Sequence, residues 1–182
     1  KFEQTLFICL IRNPWRFVSA LHRRPYNLFP KPCTDLTEFI QKPILTNARD
    51  NLTESYLSSP VDLWNKKTDS YLQLKKSCPA NVAIAYYEDV ICDVPRFLND
   101  LQFFCEIKSP PKIPNQSTKR DTKTHERDEK TFSDYKSEVE HYSPLTALGE
   151  RACHLIAERI DQDVFRQTYY AQNPQYSQHI SL

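Results

Sequence analysis

Arg12 stands where the sequence changes character abruptly. The run Thr5 to Ile11 (TLFICLI) is continuously apolar, Asn13 and Pro14 follow the arginine, and Trp15 to Arg24 is amphipathic and basic. A guanidinium at the carboxyl end of a strand, facing the amino end of the next helix, is suited to hold an oxyanion. The helix supplies unpaired N–H groups and the positive end of its dipole, and the arginine supplies a planar bidentate fork. In open α/β sheets nucleotides and phosphorylated ligands settle in that crevice. The chemistry expected here is recognition of a phosphate or sulfate ester. A plainer use is also open to Arg12: capping a helix, or pairing with Glu88 or Asp89 across neighbouring strand ends. His22, Arg23 and Arg24 read first as a solvated basic helix end that complements the dipole, and second as a rim attracting an acidic or sulfated acceptor. His125 and His141 lie in polar surroundings and carry no constellation.

Positioning such a site requires a domain with a core, and 182 residues suffice for one. The formal net charge of +1 offers no global electrostatic case for nucleic acid. No apolar stretch is long enough to span a bilayer, and no signal-peptide pattern opens the chain. The six cysteines show no C-x-x-C pair and no His at metal spacing, so no metal site is expected. Cys9 reads as a small core residue. The chain contains no Met and a single Gly, Gly149, and so reads as processed or as a fragment. If the domain binds a nucleotide, its main phosphate loop is expected upstream of Lys1 or has been lost. The sequons at Asn51 and Asn115 leave both the cytoplasm and a Golgi lumen open.

The expected elements alternate. Thr5 to Ile11 is a strand and Trp15 to Arg24 a helix with Pro14 in or just before its first turn. Pro25 to Pro32 reads as loop, 35–41 as a short helix capped by Thr34 or Asp35, and 42–58 as an irregular surface excursion. Ser59-Pro60-Val61-Asp62 starts a helix that runs to Ser77 with Trp64 as a core anchor. Val82 to Tyr87 (VAIAYY) is a second buried parallel strand. Asp93-Val94-Pro95 starts another helix, 108–130 is a mobile charged loop, and 131–182 holds terminal helices, the last long or broken near Asp161. The class is α/β, with 1–107 as the α/β part of a single domain.

The order of R-N-P, basic helix, W-N-K-K-T-D-S-Y helix and A-Y-Y-E-D-V before a proline-bearing helix resembles the sulfotransferases that use 3′-phosphoadenosine 5′-phosphosulfate (PAPS) as donor. The likeness covers Leu6 to about Leu101. It implies a three-layer α/β sandwich on a parallel sheet, related to P-loop nucleotide kinases and incomplete at its amino end. By this resemblance Arg12 binds the donor's 3′-phosphate, Tyr87 lies beside the adenine, and Lys119 and Arg120, with Lys123 and Arg127, fall in a segment that closes over the donor phosphate. The family's phosphate-binding helix serine is met by Ala20, with Ser19 one position early, a rotation of about 100 degrees. Either the helix start is shifted by one or that contact is lost.

The resemblance also implies that the loop gripping the 5′-phosphosulfate, its lysine and the general base precede Lys1, so no catalytic residue is assigned. Sulfuryl transfer needs cations at the transferring oxygens and a base at the acceptor hydroxyl. The chain is thus expected to be the donor-binding part of a sulfotransferase acting on a hydroxyl or amine acceptor, inactive alone. The alternative is a sulfotransferase-like protein that lost its donor loop and binds without catalysis. A P-loop kinase relative is a third reading, which a G-K-S/T upstream would revive. Without an upstream strand, the sheet is expected to expose an edge or a gap.

Overall fold

The sheet that carries Arg12 is made by two strands far apart in sequence. In the computed structural model, which describes residues 5–25, 33–46, 50, 52–105 and 131–180, β1 (Phe7–Ile11) pairs in parallel with β4 (Val82–Tyr86), from Phe7↔Val82 to Ile11↔Tyr86. The crossover between them contains α1 (Pro14–Arg23), α2 (Leu36–Gln41), the two-residue antiparallel ladder β2 (Ile44–Leu45) with β3 (Tyr56–Leu57), and α3 (Pro60–Ser77). After β4 come α4 (Tyr87–Cys92) and α5 (Val94–Cys105). The carboxyl-terminal part holds α6 (Phe132–Glu140), α7 (Pro144–Leu148), α8 (Glu150–Arg159), α9 (Gln162–Arg166), a 3-10 turn at Tyr169–Gln172 and α10 (Pro174–Ser177). The protein is mixed α/β, mostly helical around a small parallel sheet. Among the described residues no helix is long and apolar enough to cross a membrane.

Local chemistry sets the helix starts. Asn13 Oδ1 accepts the Arg16 N–H at 3.1 Å and Pro14 occupies the first turn of α1. Ser59 Oγ accepts from the Val61 N–H and itself donates to the Ile40 carbonyl at 2.8 Å, so the start of α3 is tied to α2. Asp35 caps α2, and Thr131 with Asp134 forms a capping box on α6. The terminal helices break near Asp161, as expected, and also at Gly149, whose φ of 80° ends α7 and starts α8 in a conformation that favours glycine.

Three expectations are corrected. The second strand stops at Tyr86, and Tyr87 begins α4, so Glu88 and Asp89 sit on a first helical turn and not at a strand end. The stretch 42–58 contains the β2–β3 ladder, closed by buried Ile44 and Leu57. The first strand is only half covered. Cys9 and Ile11 face the core, whereas Ile8 and Leu10 are 45% and 48% exposed on the other side. An uncovered apolar face is unusual for parallel strands, whose two faces are ordinarily buried.

The core lies on the covered face. Trp15, Trp64, Phe165, Tyr170 and Tyr176 fill it with Val18, Val61 and Ile156. Trp15 donates to the Cys153 carbonyl at 3.1 Å and meets Phe165 edge-on and Tyr176 stacked, each at 6.4 Å between centroids. Trp64 donates to the Arg12 carbonyl at 2.7 Å. The core anchor expected of Trp64 therefore also pins the backbone of the residue that carries the chemistry.

Candidate anion-binding site

Four side chains from two neighbouring segments converge beyond the carboxyl end of β1. Arg12, Arg16, Ser19 and Arg23 line one cleft of about 310 Å³, whose far wall is Glu138, Tyr142 and Ala147 from the α6–α7 region. Positions 16, 19 and 23 are three and four apart, so they share one face of α1. Ala20 is not among the lining residues. The helix starting at Pro14 therefore turns Ser19, and not the following alanine, toward Arg12.

The arginines do different work. Arg16 is 8% exposed. Its Nη1 donates to the Glu138 carbonyl at 2.9 Å, its guanidinium lies 4.7 Å from the Tyr142 ring centroid, and its Nε is 3.9 Å from Glu88 Oε1. It thus joins α1 to α4 and α6. Arg12 stacks on the Tyr87 ring at 4.5 Å. Burial pulls its guanidinium below the usual arginine value; Tyr87 and Glu88 oppose this, and Arg16 and Arg23 reinforce it. An arginine remains a cation at neutral pH all the same. Arg23 is exposed at the mouth.

Glu88 organises the base of the cleft. Its carboxylate, 2% exposed, accepts the Asn13 N–H at 3.3–3.4 Å and the Tyr170 hydroxyl, and faces Arg16. Tyr170 also donates to the Ile11 carbonyl at 3.2 Å. The carboxylate expected beside Arg12 is therefore committed to Arg16 and to the start of α1. Asp89 lies exposed on the other side of α4, toward Arg96.

Polar bookkeeping at the cleft does not close. Among the described residues, Arg12 Nε, Asn13 Nδ2 and the Tyr142 hydroxyl are buried without a hydrogen-bond partner. Each such group costs about 1–3 kcal/mol relative to its satisfied state. Arg12 and Tyr142 face the cleft, and Asn13 adjoins Arg12. Three unpaired donors beside several cations call for an acceptor of negative charge.

A larger cleft of about 480 Å³ opens between β4 and α4–α5. Among the described residues its polar rim is Asp89, Asp93 and Asp100 with the single cation Arg96, a balance that repels an anion. The chemistry therefore points to the smaller cleft.

Of the residues marked in the sequence, Arg12 and Ser19 come together, and Tyr87 touches Arg12 by stacking. Lys119, Arg120, Lys123 and Arg127 lie outside the described residues, as do both sequon asparagines, Asn51 and Asn115, and the whole of the loop expected over 108–130. His22 turns away, with its Nε2 2.9 Å from the Cys33 carbonyl and its ring 5.0 Å from Phe39. Arg16 and Tyr142 carry no sequence signal of their own, although the 16/19/23 spacing on one helix marks Arg16 and Arg23 as partners of Ser19. Among the described residues no group of His, Cys, Asp and Glu is arranged to hold a metal. Comparison with protein-family models, curated proteins and solved structures returned no match.

Proposed function

We propose that the Arg12 cleft receives the 3′-phosphate of an adenosine 3′-phosphate 5′-phosphosulfate donor, and that the chain is the donor-binding part of a sulfotransferase domain. The observation that carries this reading is the convergence of Arg12 and Ser19 on one cleft whose buried donors lack an acceptor. A phosphate monoester meets Arg12 as a bidentate acceptor, takes the Ser19 hydroxyl as a further donor, and draws its entry field from Arg23. A volume of about 310 Å³ is at the small end for ligand sites, the scale of a phosphorylated sugar rather than of a whole dinucleotide. Tyr87, with one ring face against Arg12, offers its remaining surface to the base. On this reading β1 and β4 are two strands of a larger parallel sheet in a three-layer α/β sandwich, and the exposed Ile8 and Leu10 face belongs to its interior. The acceptor is a hydroxyl or an amine.

Calorimetric titration with adenosine 3′,5′-bisphosphate tests the site, with adenosine 5′-monophosphate as the ligand lacking the 3′-phosphate. Arg12→Ala is expected to weaken the bisphosphate about 100-fold, the value of a desolvated charge-assisted pair, and to leave the monophosphate unchanged. Ser19→Ala is expected to weaken it about fivefold, a neutral hydroxyl's share. Equal affinity in folded wild type and Arg12→Ala would remove the 3′-phosphate assignment. Sulfuryl transfer from the labelled donor, assayed on the full-length protein, separates a transferase from a domain that only holds the nucleotide.

A further inference from the structure

The wall opposite Arg12 is built with as much care as Arg12 itself. α6 ends at His141, and the Tyr142 N–H closes its last turn onto the Val139 carbonyl at 3.3 Å. Ser143 then caps α7, with Pro144 in the first turn. Gln175 of α10 donates to the Tyr142 carbonyl, and the Tyr142 ring is held against the Arg16 guanidinium at 4.7 Å. Backbone and ring are thus fixed from three directions, while the hydroxyl at the end of the ring has no partner among the described residues. Burial holds the phenol well above the usual tyrosine value, so it is a neutral donor at physiological pH.

We infer that the Tyr142 hydroxyl is a ligand-binding donor that completes the anion site, reaching the same terminal phosphate from the α6–α7 side that Arg12 Nε reaches from β1. The inference rests on the anion reading of the cleft and adds to it both a residue and a ligand class. Arg12 and Tyr142 approach from opposite walls, so the group between them must present oxygens on both sides. A terminal phosphate monoester presents three free oxygens, enough for Arg12, Ser19 and Tyr142 together, whereas a diester keeps only two. Both donor atoms are buried at the cleft, among the described residues, without a protein acceptor. A purely structural tyrosine would instead spend its hydroxyl on a protein acceptor.

Tyr142→Phe keeps the ring on Arg16 and removes only the hydroxyl. Affinity is to be measured for inorganic phosphate and for adenosine 3′,5′-bisphosphate, alongside the melting temperature of each ligand-free protein. The expected result is about a tenfold loss of affinity for both probes, the share of one hydrogen bond to a charged group, at an unchanged or raised Tm. Unchanged affinity for both probes overturns the inference, and so does a fall in Tm that accounts for the lost binding. If wild type binds phosphate in a Tyr142-dependent manner but binds the bisphosphate no more tightly, the nucleotide reading fails while the role of Tyr142 stands. If wild type binds neither probe, both fall.

Discussion

Glu88→Ala is expected to destabilise the fold by about 3–5 kcal/mol, while Glu88→Gln leaves it folded and alters its response to pH. The buried carboxylate accepts from the Asn13 N–H and the Tyr170 hydroxyl and faces Arg16. Alanine leaves the buried Asn13 N–H without an acceptor and Arg16 without its counter-charge, and leaves the Tyr170 hydroxyl only its bond to the Ile11 carbonyl. Because Asn13 both caps α1 and follows Arg12, the loss spreads into the anion cleft, and phosphate affinity falls together with Tm. Glutamine keeps an acceptor oxygen and discards the charge. Burial is the main influence on the Glu88 carboxyl and pushes its pKa above the ordinary value of 4.5; the Tyr170 hydroxyl, Arg16 and Asn13 pull it part of the way back. A folded-state value raised above the unfolded one contributes stability that is complete below the unfolded pKa and is lost as pH rises through the folded pKa. Wild type therefore loses ground to Glu88→Gln as pH climbs from about 4 toward neutrality. Thermal melts of both proteins across that range check this, and parallel curves would show that ionised Glu88 is not strained in the fold.

Trp15→Ala carries the other large effect. Trp15 is fully buried, packs between Phe165, Tyr176 and His179, and donates to the Cys153 carbonyl. Removing the indole costs about 3–5 kcal/mol for a large-to-small change at a core site, plus about 1 kcal/mol for its lost hydrogen bond to the Cys153 carbonyl. That sum is comparable to the whole stability of a domain this size, about 5–15 kcal/mol. The variant is expected to be largely unfolded by near-ultraviolet circular dichroism at 37 °C. Trp15→Phe, which keeps a ring in the aromatic cluster, is expected to stay folded with a lowered Tm. A native spectrum for Trp15→Ala would show that α1 is not held by this cluster.

The parts of the fold that were legible are those with short-range chemistry. Asn13-Pro14 and Ser59-Pro60 announce helix starts because cap and first-turn proline act within three residues. The parallel strands announce themselves as apolar runs bounded by turn residues. α4 gave no such sign, because Tyr86 makes no capping hydrogen bond and the strand passes directly into the helix. The break at Gly149 was hidden inside a helical apolar pattern. In the site, Arg12 could be read from its place after a strand, and Ser19 from its helix. Tyr142 could not, since it reaches the cleft only through the packing of α6 on α4 and of its own ring on Arg16. Nor could the commitment of Glu88 to Arg16 over Arg12, because that choice depends on α4 being a helix.

The parallel pairing of β1 with β4 also fixes an order of events during synthesis. The β1–β4 pairing cannot form until everything from Ile11 to Val82 has been made, the whole crossover included. At about 5–20 residues per second, that is roughly 4–15 s of waiting. Meanwhile α1, α2 and α3 have local caps and can form before the sheet that they will cover. Such non-local pairing closes late and slowly, so the Arg12 cleft, hung between β1 and α6, is among the last features the nascent chain acquires. A ribosome-bound chain halted before Val82 should accordingly be helical yet unable to bind phosphate.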